Sequence, residues 1–263
     1  MTYNTEYITK GLKAAYDSFY DKIDLINNII STSPDTTPFW GIVTNVSDAV
    51  IATALSLACL YGLIGFIKEG VDFKGNWEGI IRCFIRLIIT KGLIQNSTDI
   101  MLTIYKIGAQ ITTKIHCNFT LQSSDIKIAD NPDGMIATFL SYIKYLPFQF
   151  LLWVCGVIIM VVTLGILIQI CIFIMFAPIS LAQFAGNGIS GIKNFIKDYF
   201  AVCIQGAIIM GSISLFSIFL SNQNIFGTFT DSYIGEFGLP IIYSIVLIKV
   251  LMSSQSWARK FLG

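Results

Sequence analysis

An all-α polytopic membrane protein with about five transmembrane helices is the fold this sequence predicts, and three observations predict it. Long apolar runs recur along a 263-residue chain that is 54% hydrophobic and only 13% charged, whereas a soluble domain is about 25% charged. Breaks rich in proline, glycine and asparagine separate the runs. Lysine and arginine gather on some of the connections and are missing from another, as they do on the two sides of a membrane. Mean hydropathy is +0.71.

The first element is amphipathic. Ile8, Leu12, Ala15, Phe19, Ile23, Ile26 and Ile30 recur at helical steps, with Lys10, Lys13, Asp17, Asp21 and Asp24 between them. Its mixed charge leaves three surfaces open to it: lipid, a partner, or another part of this chain. The stretch STSPDTTP, residues 31–38, then reads as a linker, since its two prolines and polar residues stop a helix. Nothing in the first thirty residues has the basic start and apolar core of a cleaved signal peptide.

A helix needs about 20 apolar residues to cross a bilayer, and five segments qualify as candidates: residues 40–67, 79–111, 147–181, 200–220 and 239–252. The second is interrupted by Arg82, Arg86, Lys91, Asp99 and Lys106. Lys68, Lys74, Arg82, Arg86 and Lys91 surround the connection between the first two spans; Lys193 and Lys197 stand between the third and fourth; Arg259 and Lys260 follow the fifth. Residues 221–238 carry neither Lys nor Arg. These counts predict an outside N-terminus and a cytoplasmic C-terminus. The expected organisation is an outer amphipathic helix and linker (1–38), two spans joined by a basic cytoplasmic connection (39–112), a small extracellular segment (113–146), and three further spans with a cytoplasmic elbow (147–263). Within 113–146 the runs HCNFTLQ and DIKIA look β-like, and a helical repeat follows the turn NPDG.

Chemistry is sparse. The net charge of +1 gives no global field for nucleic acid, so no sequence-specific nucleic-acid binding is expected. The six cysteines show neither zinc-ligand spacing nor the density of a disulfide framework, and His116 beside Cys117 has no obvious further ligand. GISG at 188–191 resembles the serine motif of rhomboid proteases, but the base such a serine needs is a histidine on a later span. The single histidine, His116, precedes it, so Ser190 is not expected to act as a nucleophile. HExxH, Walker A and GxGxxG patterns are also missing. No catalytic residue, metal or cofactor is expected, and any energy would come from a partner.

Charges within spans are candidates for function because burying one in lipid costs at least about 2.5 kcal/mol. Glu78, Arg82 and Arg86 form one helical stripe at the cytoplasmic end of the second span, suited either to interfacial anchoring by snorkelling or to contact with a subunit or lipid headgroup. Lys91, Asp48 and Asp99 are candidates for the same interface and packing roles.

The elbow, residues 176–200, reads FAPISLAQFAGNGISGIKNFIKDYF. Pro178 removes a backbone donor, so the third span should kink or end there. Gly186, Gly188 and Gly191 permit a tight reversal. Ile192, Phe195, Ile196 and Phe200 could lay a short basic helix along the bilayer surface. The stretch from 177 to 209, APISLAQFAGNGISGIKNFIKDYFAVCIQGAII, resembles the VirB/TrbL-type polytopic membrane subunit of type IV secretion systems, in particular the conjugation proteins of Gram-positive mobile elements. That family has an APIxLAxFA block, a glycine-containing turn, a KxF(I/L)K helix and an AVCxQGAII span. Residues 73–101, FKGNWEGIIRCFIRLIITKGLIQNSTDIM, and 246–263, VLIKVLMSSQSWARKFLG, extend the resemblance. It implies a non-enzymatic subunit of a conjugative channel in the cell membrane, associated with copies of itself, an ATPase and other membrane subunits, along the route of a DNA-protein substrate. Pro178, Phe184, Ala185, Lys193, Lys197 and Gln205 match motif positions. The elbow residues Pro178, Phe184, Ala185, Gly186, Gly188, Gly191, Lys193 and Lys197 are then the expected docking surface for the cytoplasmic ATPase. A secondary transporter or permease subunit is the rival reading, and it would show two related halves around a midplane site; no internal repeat is visible.

Overall fold

In the computed structural model the described residues are 32–71, 77–115, 135–221 and 233–262, with positions 14, 17, 18, 21, 22, 25, 28 and 29 of the preceding stretch. Among them the chain is helical, with no strand. A single 3₁₀ turn at Pro34–Thr36 leads into α1 (Trp40–Val71), followed by α2 (Trp77–Gln95), α3 (Ser97–Ile115), α4 (Met135–Ala182), the one-turn α5 (Phe184–Asn187), α6 (Ile189–Ser221) and α7 (Tyr233–Phe261). The β-like runs expected after residue 115, the His116–Cys117 pair, Lys74 and the middle of the uncharged 221–238 connection lie outside the described residues.

Three segments are long and apolar enough to cross a membrane among the described residues: Trp40–Lys68, Gln149–Asn187 and Ile189–Leu215. The first matches the first candidate span, the second covers all but the first two residues of the third, and the last contains most of the fourth. The second candidate, 79–111, is divided between α2 and α3 at Asn96. The helical ladder carries on across that join: the Asn96 N–H donates to Gly92 O at 3.1 Å and the Ile100 N–H to Asn96 O at 3.0 Å. The Asn96 side-chain amide also donates to Gly92 O, at 2.9 Å. A side chain competing for a ladder carbonyl is a recognised cause of a helix kink.

The chain forms two compact units. The first gathers residues 1–31, 112–165 and 207–254. Within it the Lys22 ammonium lies 5.6 Å from the centre of the Trp153 ring, which stacks on Phe150. The Lys22 stem fills the space beside Gly156, where a built Cβ would stand 2.7 Å from Lys22 Cδ. Of the three surfaces open to the N-terminal helix, its described part thus lies against α4 of its own chain, through a cation over an aromatic face.

The second unit holds residues 32–111, 166–206 and 255–263. Its core combines alanines with three larger aliphatic residues: Ala54 and Ala58 of α1, Ile94 of α2, Leu181 and Ala182 of α4, Ala185 of α5 and Ile192 of α6 are all buried. Small residues let helix backbones approach closely, which is how helices gain contact where lipid removes the hydrophobic drive. α5 touches both α1 and α2, and α1 also packs along α2. The α1–α5 contact is backbone against backbone: a Cβ on Gly65 would meet Gly186 O at 3.1 Å, and one on Gly186 would meet Tyr61 O at 2.9 Å. In the same unit, Tyr199 of α6 is fully buried and donates to Met101 O of α3 at 2.9 Å. Its ring meets Phe173 at 5.6 Å.

The linker is fastened to α3. Tyr105 OH donates to Thr32 O at 3.1 Å, and Lys106 Nζ stands 3.6 Å from Asp35 Oδ2. The neighbouring Ser33 hydroxyl has the largest effect on the Asp35 carboxyl; burial opposes it, and the smaller pull of the Lys106 ammonium helps keep the carboxyl below the usual carboxylate range. A lowered folded-state value means that the contribution is complete above the ordinary carboxylate pKa, about 3.9, and is lost as pH falls through the folded value. Asp35→Asn should therefore melt less steeply with acidification below about pH 4 than the wild type, as followed by thermal denaturation in detergent.

The Gly65–Gly186 contact makes a sharper prediction. Gly186→Val should lower stability by about 1–3 kcal/mol, because the added carbons meet α1 backbone that cannot yield. Gly92→Ala, where a Cβ has nothing within 4 Å, should be neutral or gain up to about 1 kcal/mol of helix propensity. Denaturation of the two purified variants separates these outcomes.

Candidate functional site

The elbow is tighter than the sequence suggests. α4 passes through the buried Pro178 and continues to Ala182, so the proline sits in the last turns of the helix and the reversal comes after it. The Gln183 N–H reaches Ser180 O at 3.4 Å, an i to i−3 closure that ends the helix. After the single turn of α5, the Gly188 N–H donates to Phe184 O at 2.8 Å and the Gly191 N–H to Gly188 O at 3.1 Å. Ser190 Oγ donates to Asn187 O at 2.6 Å, so the serine of the GISG motif serves the turn.

Gly188 is the pivot. Its φ of 60° and ψ of −143° make it the one described residue with positive φ. That conformation lies outside the left-handed helical well, in territory essentially reserved for glycine. It turns the chain sharply enough for α6 to start at Ile189. Gly191 then gives the first turn of α6 room beside the end of α4, since a Cβ there would come within 2.8 Å of Gln183 O.

The basic segment expected to lie on the bilayer as a short separate helix is instead the first turns of the long α6. The reason is packing: Ile192 enters the alanine-rich core, with Phe184 and Ile196 packed against it from outside, and the Phe195 ring lies 5.6 Å from Phe173. A helix with those residues in protein contact does not offer them to lipid. Ala185, Pro178 and Gly188 are buried, and Phe184, Gly186, Gly191 and Lys197 are half-buried; Lys193 is exposed. The accessible edge of the elbow is made by Gln183, Asn187, Ile189, Ser190, Lys193 and Asn194. Ile189 is 73% exposed. It was legible only as part of a glycine turn, because one apolar residue between glycines carries no periodicity.

The Glu78, Arg82, Arg86 stripe divides into two. Glu78 and Arg82 pair with each other at 3.0 Å on the outer face of α2. Arg86, a turn further on and half-buried, turns to the elbow, with Nε 3.8 Å from where a Gly188 Cβ would stand. It thus joins the elbow to α2. Lys91 is exposed on α2, away from the core residues Thr90 and Ile94. Asp48 and Asp99 are exposed too, and adjacent to them Ser47 and Thr98 share a 3.3 Å hydrogen bond between α1 and α3. The two aspartates belong to that junction and not to the elbow.

Two more charges join the elbow segment. Arg259 Nε of α7 lies 3.3 Å from Asp198 Oδ1 of α6, one residue beyond Lys197. The sequence showed Arg259 and Lys260 as terminal positive charges; an ion pair between residues so far apart leaves no local pattern. Among the described residues, no group of three or more His, Cys, Asp and Glu is arranged to hold a metal ion.

Compared with known proteins, the chain matches no family model, no curated protein and no solved structure.

The pivot makes the site testable. Gly188→Ala and Gly188→Asn should each cost about 1–3 kcal/mol, and equally, because asparagine tolerates the left-handed helical well but not this ψ. Recovery of stability in the asparagine variant, measured by thermal melting, would refute the assigned geometry.

Proposed function

We propose that this chain is a non-enzymatic, multi-pass scaffold or channel component of a type IV, conjugative secretion apparatus, working beside an ATPase, other membrane subunits and copies of itself. One observation carries the reading. The stretch whose residues resemble that family, 177–209, is also the stretch folded into a rigid turn with a buried inner side and an accessible basic edge. Ala185 and Gly186 hold the elbow against α1, Arg86 meets it from α2, and Lys193 stands outward for a partner to read. No enzyme-like arrangement is needed for such a role: the subunit positions a docking edge and supplies membrane spans, and the ATPase supplies work.

The proposed topology has five spans. α1 runs inward from outside, α2 and α3 together return, α4 runs inward to the elbow, α6 returns, and α7 ends in the cytoplasm. Ile81, Phe84, Ile85 and Ile88 form an exposed apolar side of α2, which suits lipid. All four tryptophans support the placement as well. Trp40 and Trp77 begin α1 and α2, Trp153 falls early in the Gln149–Asn187 segment, and Trp257 falls in the last turns of α7. Those are the depths at which an aromatic belt sits. The translocated DNA-protein substrate would pass through the assembly without sequence-specific contact from this subunit.

Lys193→Glu combined with Lys197→Glu reverses the charge of the exposed Lys193 and of the half-buried Lys197 a turn further on, and leaves the Gly65–Gly186 contact untouched. The double variant should insert normally and lose at least about tenfold in conjugative transfer, the effect of a docking loss of about 1.4 kcal/mol. A single cysteine at position 193 in a cysteine-free background should react with impermeant maleimide only from the cytoplasmic side. Normal transfer would remove the docking role, and labelling from outside would overturn the orientation.

A further inference from the structure

The last turns of α7 carry an open recess of about 440 Å³, lined by Gln255, Ser256, Arg259 and Lys260. The four residues carry between them a guanidinium, an ammonium, a carboxamide and a hydroxyl, with no carboxylate among them, on stems that make the lining itself more apolar than polar. Such a set fits the oxygens of a phosphate, which the guanidinium can meet with two parallel N–H groups and the ammonium as a point charge. Arg259 is held from α6: its Nε faces Asp198 at 3.3 Å, with both side chains about half exposed. That contact offers the guanidinium a competing negative charge.

The surroundings select the source of the phosphate. Met252, Trp257 and Phe261, on the same turns of α7, are 72%, 39% and 76% exposed. Large apolar side chains presented beside a basic recess match a bilayer boundary, where they enter the acyl region while Arg and Lys reach the headgroups. A site for a soluble phosphate would gain nothing from them.

We propose that this recess binds the headgroup phosphate of an anionic phospholipid, with Arg259 and Lys260 as its charge partners and Gln255 and Ser256 as its neutral donors. The site rests on the membrane reading above and not on the secretion role. Bound lipid fixes the end of α7 to the headgroup layer and, through Arg259 and Asp198, fixes the start of α6 as well. The elbow's Lys193 and Lys197 are on that same stretch of α6, so headgroup composition would bear on how the docking edge is held.

The test uses the full chain purified in detergent and mixed with phosphatidylglycerol or phosphatidylcholine, with retained lipid counted by native mass spectrometry. Phosphatidylglycerol should be retained preferentially. Arg259→Gln with Lys260→Gln should lower that retention by roughly fivefold for each charge removed. Asp198→Asn provides the opposite sign: with the competing carboxylate gone, retention should rise even if the melting temperature falls slightly. Equal retention of the two lipids, no loss in the double glutamine variant, or a fall in Asp198→Asn would each overturn the site. Displacement of the lipid by millimolar inorganic phosphate would overturn the lipid source, since a soluble anion would then suffice. Release of the protein from membranes by alkaline carbonate without detergent would refute the membrane reading itself, a result independent of the lipid counts.

Discussion

The second compact unit depends on one close approach, Gly65 of α1 against Gly186 of α5. Helix backbones approach this closely where small residues stand at the crossing, and here a Cβ on Gly65 would meet Gly186 O while one on Gly186 would meet Tyr61 O. Once that contact forms, Ala54, Ala58, Ala182 and Ala185 can close up around it, and Leu181, Ile94 and Ile192 fill the remaining volume. The order of cause matters. α4 could end after Pro178 in many ways, but only a one-turn helix followed by a glycine at φ 60° returns the chain as α6 with Ile192 in that core. The constraint at Gly188 is therefore a consequence of the packing at Gly186.

A small-residue core has a further effect on where charge can stand. Leucines or phenylalanines at positions 182 and 185 would hold α5 away from α1 and α2. With alanines there, α5 sits close enough for Arg86, half-buried on α2, to reach the turn at Gly188. An arginine packed among apolar side chains is costly unless something polar receives it, and a helix end supplies polar groups at a fixed place. The pair of Glu78 and Arg82 meets the same demand differently, each charge answering the other one turn away on an exposed face. Neighbouring arginines on one helix thus have different tasks, and sequence spacing, which put them on one stripe, could not separate them.

What the sequence made legible follows from the range of each signal. Helix, linker and elbow are local: apolar runs of span length, the prolines of 31–38, the glycines of 186–191. Those positions were recoverable by reading along the chain. The N-terminal helix was recoverable as a helix, but its resting place was not, because Lys22 finds Trp153 across a gap of many residues and a cation over a ring has no sequence signature. The same holds for Tyr199 with Met101 O, Tyr105 with Thr32 O and Arg259 with Asp198. Local reading also misjudged Ile192, Phe195 and Ile196. An apolar face beside lysines looks alike whether it meets lipid or protein, and it is the core residues Ala54 and Ala58 of α1 and Ile94 of α2, distant in the chain, that make it meet protein.

Burial on one side and exposure on the other give the elbow its mechanical character. The inner residues Pro178, Ala185 and Gly188 are fixed by contacts that a small shift would break, because interlocked backbones deform less readily than long side chains. The outer residues Asn187, Ile189 and Lys193 inherit that rigidity without contributing to it. A partner binding there meets a preformed edge and has little ordering entropy to overcome. Force applied at the edge would be carried into α1 through Gly65 and into α2 through Arg86, rather than absorbed by a loop. Under the function proposed above, that path from the turn into the neighbouring helices is the physical property by which a partner docked at the edge could act on the rest of the unit.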